Sequence, residues 1–154
     1  MTGNDNPGHA IFSKRFETFK KLTAEMGEKK AWEKMFEGYP ERHKKSMGQF
    51  IENDTLARGF SRAIAEFKKA GWEMEVVDIS NRGMDAVIEI QRVCPALEIC
   101  AEYGYEKPCF LVCEMDGEAT RRVFPEMKCE ILCRQADGAA ACVFKYERKK
   151  KGAL

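Results

Sequence analysis

The sequence predicts an α+β fold in which N-terminal helices precede a β-β-α-α-β-β unit, with the helices packed on one face of a roughly four-stranded antiparallel sheet. Three features of the sequence predict this fold. Apolar residues recur at helical spacing as far as residue 70, and they alternate with polar residues in the stretches that follow. Turn sequences, Asn-Arg-Gly and Ala-Asp-Gly, then separate the paired strands.

The helical part comes first along the chain. The apolar residues of its first helix recur at steps of three and four: Phe12, Phe16, Phe19 and Leu22. That helix should end at Gly27, and a shorter helix around Trp32 should follow. Two more helical clusters precede Gly71; the second is centred on Phe60, and residues 53–55 could cap its start.

Alternation then replaces helical spacing. Residues 72–77 predict a strand, and residues 81–83 predict a turn. The next strand has a set of apolar residues on one face: Met84, Ala86, Ile88 and Ile90. Pro95 suits the first turn of a following helix. A second short helix should run over residues 108–116, although its apolar run is also typical of a buried strand.

A second hairpin, formed by residues 127–135 and 141–147, completes the unit. No long linker divides the chain, so we expect a single domain between a loose N-terminus and a solvated basic tail. The expected bounds are 1–10 for the loose N-terminus, 11–147 for the domain, 11–70 for its helical segment, 72–147 for its α+β unit and 148–154 for the tail.

Composition narrows the functional classes. The chain has 154 residues with 44% hydrophobic and 33% charged side chains, a globular balance, and its formal net charge of +1 gives no general attraction to nucleic acid. No stretch approaches the roughly 20 apolar residues that cross a bilayer, and no signal peptide is recognisable. We therefore expect a cytoplasmic protein with no nucleic-acid or membrane partner.

All seven cysteines lie between Cys94 and Cys142, and an odd number without a secretory signal predicts reduced thiols. Four of them could form a closed zinc site: Cys109, Cys113, Cys133 and Cys142. Their spacings are not the compact C-x-x-C of zinc ribbons. We therefore expect no cofactor and retain zinc as the alternative.

A series of short motifs occupies the cysteine-rich region. They are Cys-Pro at 94–95, a glycine at 104, C-x-x-D at 113–116 and G-x-x-x-C-x-F at 138–144. Together they resemble the L-2-amino-thiazoline-4-carboxylic acid hydrolase family over residues 94–146, about a third of the chain. The final hairpin, with Glu130 and Cys133, is also similar to vinyl-reductase-type ligand-binding domains. The family resemblance implies hydrolytic opening of a small cyclic amidine-like ring at a C–N or C–S bond.

Such a reaction needs a nucleophile, a proton donor and a cation for the substrate carboxylate. Cys113 is the candidate nucleophile, and Asp116, three residues further on a helix, could orient the substrate or transfer a proton. Cys94, at a helix N-terminus, is a second thiol candidate. The candidate substrate contacts are Arg122, beside Arg121 as a carboxylate clamp, together with Cys142 and Phe144.

Each candidate also has a purely structural interpretation. Cys113 could be a small buried residue, Asp116 could form a turn with Gly117, and Cys94 could stabilise the corner between strand and helix. The two arginines could be ordinary surface charges. Neither histidine suggests a Cys-His pair, because His9 falls in the loose start and His43 in the charged stretch ERHKK.

Two functions other than catalysis fit the same sequence. One is a non-catalytic domain that binds a small molecule in an apolar pocket, for which the expected lining is Phe110, Phe124, Phe144 and Tyr146. The other is an interaction domain that forms a homodimer through the aromatic faces of its N-terminal helices. A strictly monomeric state would count against the homodimer.

Overall fold

The computed structural model describes residues 7–152. Within that range the chain forms six α-helices and four β-strands. The helices are α1 (Pro7–Met26), α2 (Glu28–Phe36), α3 (Tyr39–Ile51), α4 (Leu56–Lys69), α5 (Ala96–Glu102) and α6 (Cys113–Val123). The strands are β1 (Glu73–Asp78), β2 (Met84–Val93), β3 (Lys128–Cys133) and β4 (Cys142–Lys149). Short 3₁₀ helices occupy Pro108–Leu111 and Gln135–Asp137.

The strands form one antiparallel sheet in the order β1-β2-β4-β3. Both predicted hairpins are present, and β2 and β4 pair at the centre of the sheet. Their register sets Val87 opposite Tyr146 and Glu89 opposite Phe144. The predicted α+β fold is confirmed, with helices against the sheet face that these side chains share.

The sheet face that contacts the helices, called here the inner face, carries polar as well as apolar side chains. On β2 these side chains are at most 6% exposed: Asp85, Val87, Glu89 and Gln91. The apolar residues that alternation groups together, from Met84 to Ile90, do lie on one face of β2. That face is the one opposite the inner face. The central strand therefore turns two acids and an amide toward the helices.

One hydrophobic cluster joins α1 and α2 to α5 and α6. Its aromatic side chains are 6% exposed or less: Phe12, Phe16, Phe19 and Phe36. Trp32 stacks on Phe36 with 4.8 Å between ring centroids, and its Nε1 donates to the carbonyl oxygen of Phe110 at 3.1 Å. The aromatic faces that the sequence suggested for a homodimer thus pack within the chain, and the homodimer stays a prediction.

Helices α3 and α4 pack together and cover the inner face of the sheet. They approach so closely that a Cβ at Gly59 would lie 1.6 Å from the carbonyl oxygen of Phe50, which only glycine allows. Thr55 caps α4 by accepting a hydrogen bond from the backbone N–H of Arg58 at 3.3 Å, as the sequence predicts. A second cluster forms beneath this pair: Ile51, Leu56, Phe60, Val87, Phe124 and Met127.

Both expected termini are corrected. Residues 7–10 are helical rather than loose because α1 begins at Pro7, and residues 1–6 lie outside the described range. The tail does not begin at Arg148, which belongs to β4 and pairs with Asp85 at 3.0 Å between Nε and Oδ2. Residues 153–154 also lie outside the described range.

The stretch predicted as one helix over residues 108–116 is divided. A 3₁₀ helix is followed by Val112, whose backbone leaves the helical region at φ −124° and ψ −84°, and α6 then begins at Cys113. The candidate nucleophile therefore occupies the first residue of a helix. No helix within residues 7–152 is both long and apolar enough to cross a membrane.

Candidate active site

A small cavity of about 50 Å³, called here the inner cavity, lies between α3, α4, α6 and the inner face of the sheet. Its polar lining residues are His43, Glu89, Gln91, Cys113, Asp116, Thr120 and Tyr146. Its apolar lining residues are Met47, Ile51, Phe60, Phe67 and Phe144. The volume suffices for a few water molecules, because one water needs about 10–15 Å³ measured in this way.

Helix α6 contributes three polar residues at helical spacing. Cys113, Asp116 and Thr120 follow at steps of three and four residues, so one face of the helix presents all of them to the inner cavity. This arrangement agrees with the prediction that Cys113 and Asp116 lie close together on a helix. Their catalytic roles stay a prediction.

Helix α3 contributes two residues that contact this face of α6. His43 Nε2 lies 2.8 Å from Thr120 Oγ1, and His43 Nδ1 lies 3.7 Å from Asp116 Oδ1. The Tyr39 hydroxyl donates a short hydrogen bond to the same Asp116 oxygen. Burial lowers the pKa of His43 despite the opposing charge of Asp116, so the imidazole is neutral at pH 7. His43, which sequence reasoning set aside, thus lies at the cavity beside Asp116.

Strand β2 adds a buried acid and a buried amide. Glu89 is 3% exposed, and burial raises its pKa to about 7, with the charge of Asp116 acting in the same direction. The Gln91 amide Nε2 donates to Glu89 Oε1 at 2.7 Å, which partly offsets that rise in pKa. Near neutral pH, Glu89 can therefore hold or release a proton inside the cavity. Sequence reasoning missed both residues.

The two thiols Cys109 and Cys113 form a hydrogen-bonded pair with unequal environments. The hydrogen bond with Cys113 lowers the pKa of Cys109 to about 7, aided by the charge of Arg134 and opposed by burial. The pKa of Cys113 is raised, first by its hydrogen bond to Cys109 and then by burial. Cys109 is therefore the first of the pair to ionise, and Cys113 stays protonated at neutral pH.

A larger open cleft of about 570 Å³, called here the outer cleft, lies on the other side of Cys113. Cys113 lines both the inner cavity and the outer cleft. The cleft also contains two guanidinium groups, Arg121 and Arg134, which pair with Glu118 and Glu114, each at 3.1 Å. Cations therefore lie in the cleft, and the thiol lies between cleft and cavity.

The other predicted site residues are distributed more widely. Phe144 lines the inner cavity, whereas Cys142 is buried nearby on β4 and its sulfur accepts from the Gln135 N–H at 3.3 Å. Arg122 is exposed, pairs with Glu118 at 3.1 Å and lies over the Phe36 ring at 4.8 Å. Neither Cys142 nor Arg122 lines the inner cavity or the outer cleft.

Cys94 lies in a separate surface pocket with Pro95 and Gln135. Burial raises the pKa of its thiol more than the backbone N–H groups of Ala96 and Leu97 lower it. The helix N-terminus thus does not make Cys94 the acidic thiol that the sequence suggested. Within residues 7–152, no three His, Cys, Asp or Glu side chains are grouped as ligands for a metal ion.

The fold and the inner cavity define an α+β protein with a buried polar pocket beside a thiol, an arrangement suited to chemistry on a small molecule. The chain belongs to the L-2-amino-thiazoline-4-carboxylic acid hydrolase family, whose model matches residues 8–146. The family suggested by the C-terminal motifs is confirmed, and the match extends through the N-terminal helices that supply Tyr39 and His43. No curated protein matches the chain significantly.

Proposed function

We propose that this protein is a hydrolase that opens a small cyclic amidine of the thiazoline type, with Cys113 as nucleophile. One observation carries the proposal: a single cavity is lined by a thiol, a neutral imidazole and two carboxyl groups in different surroundings. Membership of the hydrolase family supports the reaction class. The same cavity supplies a nucleophile, a base and an acid, which this hydrolysis requires.

The substrate is proposed to lie across Cys113, with its two ends in different places. A cavity of about 50 Å³ is well below the roughly 150 Å³ that accommodates a benzene ring, so only the amidine end enters it. The substrate carboxylate stays in the outer cleft, where Arg134 or Arg121 can exchange a glutamate partner for it. That exchange costs little at the exposed Arg121, because surface ion pairs contribute at most about 1 kcal/mol.

The first step is attack of the Cys113 sulfur on the amidine carbon. With His43 Nε2–H donating to Thr120, His43 Nδ1 accepts the thiol proton, and Asp116 stabilises the imidazolium that forms. Glu89 in its protonated form polarises the ring nitrogen through a hydrogen bond. The bond between the amidine carbon and the ring sulfur then breaks, and that sulfur takes the proton from His43. The product of this step is an isothiourea on Cys113.

The second step returns the enzyme to its starting state. His43 accepts a proton from a water molecule, whose oxygen bonds to the isothiourea carbon. The bond from that carbon to Cys113 breaks, and the sulfur of Cys113 recovers a proton from His43. The carbon becomes the carbonyl of a urea, so 2-aminothiazoline-4-carboxylate plus water gives a carbamoyl-cysteine.

The test is hydrolysis of 2-aminothiazoline-4-carboxylate, followed by chromatography of the carbamoyl-cysteine product. Cys113→Ala should reduce turnover on the order of a thousandfold or more, because no other thiol lines the cavity within the described residues. Cys133→Ala is the matched control, since Cys133 is exposed on β3. Rapid quenching of the wild-type protein should also give an intact mass increased by one substrate. Undiminished turnover of the Cys113→Ala protein would remove Cys113 from the mechanism.

A non-catalytic binding domain is the second candidate. Phe144 and Tyr146, two of the four aromatic residues expected for an apolar pocket, line the inner cavity, whereas Phe110 and Phe124 do not. Binding of the thiazoline without turnover, retained when every cysteine is replaced, would favour this function. A polar lining of seven residues favours the hydrolase instead.

A further inference from the structure

Gln91 has one amide atom that lacks a partner although the side chain is buried. The residue is 6% exposed and lines the inner cavity. Its Nε2 donates to Glu89, and its Oε1 has no hydrogen-bond partner among the described residues. Leaving a buried acceptor unpaired costs about 1–3 kcal/mol, so such an atom usually meets a ligand or a water molecule.

The amide nitrogen of Gln91 donates to Glu89 Oε1. An ionised Glu89 offers only acceptors, and a protonated Glu89 keeps one oxygen that accepts, so this contact is satisfied in both states and the amide oxygen is the atom left for a ligand. Glu89 and Gln91 are two residues apart on β2, and both side chains lie on the inner face. A carboxyl group and an amide oxygen therefore lie side by side at one wall of the cavity.

We propose that Glu89 and Gln91 together recognise the amidine group, with Gln91 Oε1 accepting a hydrogen bond from the exocyclic amine and Glu89 contacting the ring nitrogen. This inference rests on the proposed function and identifies what the site selects. A neutral cyclic amidine presents an N–H donor beside a nitrogen acceptor, which matches an amide oxygen beside a protonated carboxyl. A protonated amidine presents two donors, which match the same oxygen beside a carboxylate. Gln91 accepts from the amine in both cases.

The pair makes Gln91 a specificity-determining residue. A ligand of the same shape with a methyl group in place of the amine cannot donate to Oε1, and it would leave this buried acceptor unpaired. A site that hydrogen-bonds a substrate N–H or O–H strongly rejects an analogue that lacks this N–H or O–H. An apolar pocket discriminates much less between ligands that differ by one methylene group. The enzyme should therefore strongly prefer a 2-aminothiazoline to a 2-methylthiazoline.

The experiment compares the dissociation constants of 2-aminothiazoline-4-carboxylate and 2-methylthiazoline-4-carboxylate by calorimetry. Both are measured on Cys113→Ala protein, in which the ligand should persist, and again after Gln91→Met is added. Adding Gln91→Met should reduce the ratio of the two dissociation constants about tenfold. A tenfold change corresponds to the free energy of one hydrogen bond in a buried site. Gln135→Met is the matched control, because Gln135 Oε1 also lacks a partner within the described range but lies outside the cavity.

Each outcome decides between the inference and the function on which it rests. An unchanged preference in the Gln91→Met protein would overturn the role of Gln91, while hydrolysis by the wild-type protein would leave the proposed function standing. If the wild-type protein neither binds nor hydrolyses the aminothiazoline, both fall together. Should Gln91→Met fail to fold, Gln91→Asn withdraws the oxygen by one methylene group and should produce the same loss of preference.

Discussion

Replacement of Asp85 by alanine should destabilise the protein far more than loss of a surface charge. Asp85 is 6% exposed, and its two oxygens accept from the Leu56 N–H at 3.1 and 3.2 Å. It also pairs with Arg148, whose guanidinium donates to the carbonyl oxygens of Ile51 and Asp54 at 2.5 and 2.6 Å. This network joins the loop between α3 and α4 to the central strands.

The magnitude follows from what Asp85→Ala leaves behind. Arg148 would keep a largely buried positive charge without its carboxylate, and breaking a buried pair in this way costs about 3–5 kcal/mol. For a chain of this size, each kcal/mol corresponds to roughly 2–4 °C, so the melting temperature should fall by about 6–20 °C. The cost is a large part of a typical total stability of about 5–15 kcal/mol.

Urea unfolding followed by tryptophan fluorescence measures this change. Glu66→Ala is the matched control, because Glu66 is exposed on α4 and pairs with Lys69 on the same helix at 2.9 Å, and its loss should leave the midpoint almost unchanged. If Asp85→Ala costs no more than Glu66→Ala, the reasoning about the buried pair is refuted. Asp85→Leu combined with Arg148→Met removes both charges and should recover part of the stability.

Two further predictions concern protonation. Burial raises the pKa of Glu89 from 4.5 to about 7. Between these two pH values the folded protein holds a proton that the unfolded chain releases. The free energy of unfolding should therefore fall by roughly 3 kcal/mol as pH rises from 4.5 to 7. The Glu89→Gln protein should not show that fall. If the free energies of unfolding of the two proteins depend on pH in the same way, Glu89 is not the group responsible. Mild alkylation near pH 7, read by mass spectrometry, should modify Cys109 first, because its pKa is lowered to about 7. Cys113→Ala removes the hydrogen bond responsible and should move that reaction to higher pH, whereas an unchanged profile would exclude the thiol pair as its cause.

The sequence predicts the fold well where one face of an element must be buried. Phe12, Phe16 and Phe19 reveal α1 because helical spacing aligns them on the face that meets the core. Prediction was weakest over residues 108–116, where an apolar run fits both helix and strand and no local signal places the break at Val112. The sequence predicts that a tail begins at Arg148, because only the fold reveals its partner Asp85, 63 residues earlier.

The candidate site was predictable only in its local part. Cys113 and Asp116 are neighbours in sequence, whereas His43 meets Thr120 across 77 residues, a separation that leaves no local pattern. The charged stretch ERHKK gives no sign of a site at His43, yet α3 turns this imidazole toward α6. Alternation on β2 identifies two faces without indicating which one the helices cover, so the sequence alone does not place Glu89 against the helices.

The contacts of α3 with α6 have a consequence for synthesis of the chain. During translation, His43 leaves the ribosome 70 residues ahead of Cys113, and a domain generally folds as a unit. The side chains that surround the thiol include Tyr146 of β4. An unfinished chain therefore carries its cysteines without the cavity that the proposed mechanism requires, and competence for that mechanism should arise in a single step when the final hairpin docks.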